Sequence, residues 1–210
     1  YLGLLGRHWL SLGYAFVVAN VRGGGEFGPA WHQAAILKNK HKSVEDLLAV
    51  VHDLHACGLS TTEQTGLQGG SNGGLMVLAA MVDEPDSVGA VVAEVPLADM
   101  LRYPHLSSGA SWLAEFGDPH SEDEDMQRAL YDLSPYHRIA HQRTYPATLL
   151  TTSLSDDRVH PAHAFKTYAR LQQLEQASWL YCPEDGGHTG NTTQEELADE
   201  TAVIMTFFAK

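Results

Sequence analysis

The chain has 210 residues, 44% of them hydrophobic and 19% charged, which suits one domain with a sizeable core and excludes a disordered or low-complexity polymer. Its formal charge of −13, with only 13 scattered Lys and Arg, excludes the clustered basic surface that nucleic acid demands. Two distant cysteines, Cys57 and Cys182, exclude a disulfide scaffold, and no apolar run approaches the roughly 20 residues of a membrane span. No nucleic-acid or membrane partner is therefore expected, and the acidity reads as a solubility feature. Neither cysteine belongs to a C-x-x-C pair, so no structural zinc, redox motif or cofactor is expected. The first residue is Tyr1 rather than Met, and the opening residues lack the ordered sections of a signal peptide. The chain is expected to begin inside a longer product. Cysteine usage points to a reducing compartment and hence the cytoplasm, or the periplasm if a signal peptide lies upstream.

Along the chain, strand and helix patterns alternate. Residues 14–21 form an apolar, β-rich run that ends in Arg22-Gly23-Gly24-Gly25, and they predict a buried strand. Val44, Leu47, Leu48, Val51 and Leu54 recur at three- and four-residue steps and predict a helix. Residues 65–69 predict a short strand running into Gly69-Gly70-Ser71-Asn72-Gly73-Gly74, with a helix over 75–82 close behind. Residues 88–95 are the next expected strand. The alternation then stops from Pro96 to Tyr145, a stretch too long for an ordinary connection and read as a structured excursion. It resumes with strands at 147–153 and 177–182, a helix at 161–176 between them, and a last helix with Leu197, Thr201, Ile204 and Phe208 on one face. No repeat or linker interrupts this order. Alternating strands and helices imply an α/β fold with a mostly parallel sheet and helices on both faces.

Gly69-Gly70-Ser71-Asn72-Gly73 matches G-x-S-x-G between an expected strand and an expected helix. A serine on so tight a turn sits on a strained backbone, and small neighbours clear both the turn and the approach of a substrate. The following helix aims its first N–H groups toward the site, and the N–H of Asn72 is the expected oxyanion donor. A serine hydroxyl needs a base to take its proton. In this architecture the chain order is Ser, then Asp or Glu, then His, each acid or base following a late strand. Asp156 and Asp157 follow the strand at 147–153, and His188 follows the strand at 177–182 on a glycine-flanked turn. Spacing does not choose between the two aspartates. A Ser–His pair predicts a rate that rises with pH as an imidazole loses its proton, ordinarily near about 6.5. The pairs His160/His163 and His137/His141 lack a third ligand in a suitable place and are read as surface or satisfied core histidines; no metal site is expected.

These residues resemble the prolyl oligopeptidase family of serine peptidases over nearly the whole chain, from about Gly13 to the last helix. The resemblance rests on Asn20-Val21-Arg22-Gly23-Gly24-Gly25-Glu26-Phe27-Gly28 with Trp31-His32, and on Gly69-Gly70-Ser71-Asn72-Gly73-Gly74. It continues through Asp99-Met100-Leu101-Arg102-Tyr103, Ser134-Pro135-Tyr136, Asp156-Asp157-Arg158-Val159 and Gly187-His188. It implies an α/β-hydrolase catalytic domain joined in the parent protein to a β-propeller that admits short peptides. It implies Ser71, Asp156 and His188 as nucleophile, acid and base, with Asp157 structural. Arg158 matches an arginine that binds a substrate carbonyl, and Trp112 matches a tryptophan that stacks on a substrate proline. Phe116 matches a second aromatic wall, and Leu97 is expected to add an apolar one. As plain core residues, Trp112 and Phe116 would need no such role. The resemblance thus implies hydrolysis of short peptides after proline through an acyl-enzyme at Ser71.

The chain departs from the family in two ways. No blade repeat of a propeller is present. The first strands of the hydrolase sheet and the upstream tyrosine that resembles the second oxyanion donor are missing too. Losing one such donor typically costs about 10²–10³ in turnover, so these 210 residues alone are expected to be weakly active or inactive. A bare sheet edge would also invite self-association. Three alternatives stand beside post-proline cleavage: oligopeptidase B-like cutting after basic residues, an acylaminoacyl or esterase activity on the same core, and a non-catalytic binding or assembly module.

Overall fold

In the computed structural model, described over residues 3–184, 186–188 and 193–209, one parallel sheet runs in simple sequential order, β1-β2-β3-β4. Its strands are β1 (Gly66–Gly70), β2 (Ala90–Glu94), β3 (Ala147–Thr151) and β4 (Ser178–Tyr181). Parallel neighbours cannot be joined by hairpins and require crossovers. The helix α4 (Asn72–Asp83) joins β1 to β2, and α8 (Ala162–Gln173) joins β3 to β4. The register sets Leu67 beside Val91 and Thr148, and Gly70 beside Glu94 and Thr151, so the carboxyl ends of β1, β2 and β3 lie level.

Side chains alternate across each strand, and both faces are covered. Leu67, Val91, Ala93 and Leu150 face a core shared with α4, α8 and α3 (Lys42–Ala56), in which Val44, Leu75, Leu78 and Leu171 are fully buried. Val92 and Leu149 face the other way, against Ile204 of α9 (Gln194–Phe208). A capping box starts α9: the Thr193 hydroxyl accepts from the Glu196 N–H, while the Glu196 carboxylate accepts from the Thr193 N–H. The face expected of α9 is only partly buried, since Ile204 is inside while Leu197 is half exposed.

The excursion at 96–145 is built of short pieces. Two single 3-10 turns, Tyr103–His105 and Gly109–Trp112, lead into α5 (Leu113–Phe116), α6 (Glu124–Asp132) and α7 (Pro135–Arg138). It contributes Met100, Phe116, Leu130, Ile139 and Tyr145 to the main core. Polar staples hold its start. The Ser134 hydroxyl accepts from the Met100 N–H and donates to the Ala98 carbonyl, both at 3.0 Å. Fully buried Asp99 accepts from the Arg102 side chain at 3.2 Å and from the Lys166 ammonium. These cations hold its carboxyl below the usual carboxylate range against the opposing cost of burial.

Residues 14–21 do not form the expected strand. Among the described residues they pair with no strand, and Tyr14, Val17 and Val18 stay 45%, 49% and 47% exposed. β-rich composition supplies a preference for extended backbone, but a strand also needs a partner to take its N–H and C=O groups. Among the described residues β1 has β2 on one edge and no strand on the other. Two helices carried no clear periodic signal in the sequence: α1 (Leu4–Ser11), whose Trp9 stacks on Tyr14 at 4.1 Å, and α2 (Pro29–Gln33). Cys57 and Cys182 are both free thiols.

Candidate active site

Ser71 stands between the end of β1 and the first residue of α4, with φ 56° and ψ −116°, in a region that non-glycine residues rarely enter. Its neighbours over-determine that turn. The Ser71 N–H donates to the Glu94 carbonyl at 2.8 Å, which ties the turn to the end of β2. A Cβ on Gly69 would lie 2.4 Å from the Gly73 carbonyl oxygen, and one on Gly74 would lie 2.8 Å from Pro96 Cβ. Side chains at either position would force strand and helix apart, so the glycines permit the turn that lifts the serine clear of the sheet.

His188 follows β4 and reaches across the strand ends. Its Nε2 is 3.1 Å from Ser71 Oγ and its Nδ1 is 3.0 Å from Asp156 Oδ2. The Asp156 side chain is fully buried, and its other oxygen accepts the N–H groups of Arg158 at 3.0 Å and Val159 at 2.9 Å. That leaves one carboxylate oxygen for the imidazole and locks its direction. Asp157, which spacing could not separate from Asp156, is exposed and points its side chain at no described partner. Three residues that lie 117 and 32 positions apart along the chain are thus joined into one hydrogen-bonded row. With Nδ1–H donated to the carboxylate, Nε2 is the acceptor that faces the serine hydroxyl, the arrangement that lets imidazole take a proton from it.

A residue without a sequence signal supports the row. The Ser155 hydroxyl accepts the Gly187 N–H at 3.1 Å and lies 3.0 Å from the Ser153 hydroxyl, tying the loop of the histidine to the loop of the aspartate. A serine in a loop is too ordinary for this to be read from spacing.

The expected substrate-binding residues fall in two groups. Arg158 is exposed, with no ion pair or side-chain hydrogen bond among the described residues, and its carbonyl accepts the Ser108 N–H at 3.3 Å. Trp112 is half-buried against the main core. Phe116 and Leu97, by contrast, are only 3% and 2% exposed. The Phe116 ring meets Tyr103 edge-on at 5.6 Å, and Lys40 Nζ lies over it at 5.4 Å. The carboxylate beside it, Glu115, accepts from Lys40 at 2.5 Å and faces His32 Nε2 at 2.9 Å. The Asn72 side-chain oxygen is buried and has no hydrogen-bond partner among the described residues.

The histidines set aside as metal ligands have other tasks. His163 is 1% exposed and its Nδ1 accepts the N–H groups of Ala98 and Asp99 at 3.2 and 3.1 Å. Burial pushes its imidazole down to about 4, so it is neutral, as an acceptor must be. His137 Nδ1 lies 2.8 Å from the Ser134 hydroxyl, while His160 and His141 are exposed.

Comparison with known proteins bears on the family and the fold. An uncharacterized peptidase of Sinorhizobium fredii is 41% identical over 204 residues, which cover 97% of this chain and 28% of that protein. The prolyl endopeptidase of Elizabethkingia meningoseptica is 34% identical over 202 residues, 95% of this chain and 28% of its own length. Among solved structures, a prolyl endopeptidase superposes with a TM-score of 0.94 at 36% identity, over 98% of this chain and 31% of that one. A post-proline cleaving enzyme from Rickettsia typhi gives 0.87 at 37% identity, over 90% and 27%. The chain therefore spans less than a third of the length of these relatives. The sheet and its helices match the α/β-hydrolase domain of that family. With the profile of the prolyl oligopeptidase family matching residues 6–210, and relatives well above 30% identity along nearly all of it, the chain belongs to the prolyl oligopeptidase family.

Proposed function

We propose that this chain is the catalytic portion of a serine peptidase that cuts short peptides after proline. The observation that carries the reading is the row Ser71–His188–Asp156 on a strained strand-to-helix turn. In the proposed reaction Ser71 Oγ attacks the peptide carbonyl carbon as His188 Nε2 takes the hydroxyl proton. The buried Asp156 carboxylate holds the imidazole by Nδ1 and stabilises the cation that forms. The Asn72 N–H, at the start of α4, donates to the oxyanion. His188 then returns its proton to the leaving amine, and water releases the acyl group by the same path in reverse.

Post-proline cleavage is supported by relatives that carry that name and by the chemistry around Trp112. A half-buried indole offers a flat apolar wall to a proline ring, and a charged side chain there would have to be desolvated. The carboxylate nearest in sequence to Trp112 and Phe116, Glu115, is already engaged by Lys40 and His32. It is poorly placed to serve as the counter-ion that cleavage after basic residues needs. Arg158, with free donors, would hold a substrate carbonyl. Phe116 and Leu97 would back the pocket from within the core. Prolyl oligopeptidase B from Galerina marginata has been solved with peptide substrates in variants lacking a histidine, a serine or an aspartate, a set of residue types that matches the row described above. The parent protein would add a propeller and a second oxyanion donor upstream, and the open edge of β1 would be the place where further strands pair.

The test is a fluorophosphonate probe read by intact mass, with Ser71→Ala as the control. Labelling lost in the variant supports an activated Ser71; equal labelling of both sinks the assignment. Chromogenic peptides with proline, arginine or alanine before the cut bond then rank the specificity.

A further inference from the structure

Lysine is rarely buried, because an apolar interior cannot replace the water its ammonium loses. Lys40 is nonetheless only 2% exposed, and the row of Ser71, His188 and Asp156 makes no use of it. It follows the single 3-10 turn Leu37–Asn39, and its Nζ donates to Glu115 Oε1 at 2.5 Å. The other carboxylate oxygen, Oε2, faces His32 Nε2 of α2 at 2.9 Å. Both oxygens of Glu115 are thus engaged by elements outside the excursion, so the carboxylate is fixed in direction as well as in position.

What Glu115 carries is the segment of the expected pocket. The turn Gly109–Trp112 runs directly into α5, which holds Glu115 three residues after Trp112 and one before Phe116. A helix of four residues cannot hold its own direction, because nucleation costs more than one turn of hydrogen bonds returns. Tethers at its two ends do so instead. At the first, the Ser108 N–H donates to the Arg158 carbonyl at 3.3 Å and the Ser108 hydroxyl to the Asp157 carbonyl at 3.4 Å, beside the aspartate of the row. At the second stands Glu115, with Lys40 Nζ also 5.4 Å from the centre of the Phe116 ring. Trp112 lies between the two. Releasing the second tether frees the short helix to turn about the first, and Trp112 turns with it. An apolar pair of similar volume would fill the same space without loss of stability, so what the ionic anchor adds is a fixed angle.

We propose that Glu115, clamped by Lys40 and His32, is a positioning residue that sets the angle of Trp112 and so the preference of the pocket for a proline ring before the cut bond. This rests on the peptidase reading and on Trp112 as a pocket wall. A ring stacks on an indole only when the two faces meet, whereas a methyl group makes no such demand. A tilted Trp112 therefore costs a proline substrate more than an alanine one.

The first measurement needs no turnover, so its failure is distinguishable from failure of the peptidase reading. Fluorine NMR spectra of the full chain labelled with fluorotryptophan resolve the Trp112 line, assigned through Trp112→Phe. In Glu115→Gln and in Lys40→Met that line is expected to shift, while those of Trp9 and Trp179 stay. Glu115→Asp, which keeps both oxygens, should move it less. The double variant Lys40→Met/Glu115→Leu leaves no unpaired charge inside and serves where a single variant fails to fold. A Trp112 line that stays in place in the folded variants overturns the anchor. The second measurement reads selectivity as the ratio of kcat/KM for matched proline and alanine peptides. It should fall roughly tenfold in Glu115→Gln, with most of the change in KM. An equal loss on both peptides makes Glu115 merely structural and overturns the proposal.

Discussion

Residues 14–21 and residues 88–95 are nearly alike in composition, apolar and rich in Val and Ala, yet they end in opposite states. In the second, Val91, Val92 and Ala93 are fully buried, with β1 on one side of the strand and β3 on the other. In the first, Val17 and Val18 are about half exposed and no ladder forms. Ala19 and Val21 of the first segment pack on the core, and polar contacts fasten its end. Arg22 grips Asp46 of α3 through Nε at 2.8 Å and Nη2 at 2.6 Å, its carbonyl accepts from the Ser43 hydroxyl at 2.6 Å, and Trp31 Nε1 donates to Val21 O at 2.8 Å. That pairing with Arg22 keeps the Asp46 carboxyl below its usual range. The difference teaches that apolar β-rich sequence is a preference, and that neighbours on both edges turn it into a strand. The site follows the same division, because every member of its hydrogen-bonded row hangs from the carboxyl end of a strand that has a partner.

The largest effects should therefore come from the ends of the paired strands. Ser71→Ala is expected to lower turnover of a proline peptide by about 10⁶ in a protein that retains activity. Steady-state kinetics check this, and a loss under tenfold would detach the chemistry from the strand ends. Asp156→Asn keeps the shape but offers the imidazole an amide, and a loss of about 10⁴ is expected with little change in thermal stability. A drop in melting temperature without a drop in kcat would recast Asp156 as structural.

Stability should divide between the two segments in the same way. Leu150→Ala, in the middle of β3 and fully buried, is expected to cost about 2–5 kcal/mol in urea denaturation. His163 gives the paired region a pH dependence. Its folded imidazole is held down to about 4 while the unfolded chain protonates near 6.5, so the unfolded state binds the extra proton first. The associated stability is complete above about 6.5 and is lost as pH falls toward 4, a slope worth on the order of 3 kcal/mol. Across that window the wild-type denaturation midpoint should fall more steeply with decreasing pH than that of His163→Gln; parallel lines would remove His163 as the cause. Val17→Ala should be smallest, within about 0.5 kcal/mol, because the side chain is half exposed and unpaired. A cost as large as that of Leu150→Ala would show that residues 14–21 are structured by a partner after all.

Much of this was readable from residues alone because the signals were local. The glycines around Ser71 announce a turn that needs no side chains, as the close approaches at Gly69 and Gly74 show. Strands at 88–95 and 147–153 were visible as short apolar runs, and α3 was visible from its three- and four-residue spacing. Asp156 was different. Its sequence neighbour Asp157 has the same chemistry, and only the fold shows that Asp156 turns inward to His188 while Asp157 stays in solvent. Phe116 and Leu97 could be picked out as apolar, but their depth in the core could not. Ser155 had no signal at all, since its partner Gly187 comes from a loop that meets it only after the sheet is assembled.

By itself, then, the sequence determined the alternating α/β order and the glycine-flanked turn at Ser71, because each depends on a few adjacent residues and their backbone preferences. The tertiary structure decided which aspartate reaches the histidine, which apolar residues are core, and whether an apolar run becomes a strand. Those are properties of neighbours distant in sequence: hydrogen-bond partners, burial and a ladder edge exist only once the chain has packed against itself.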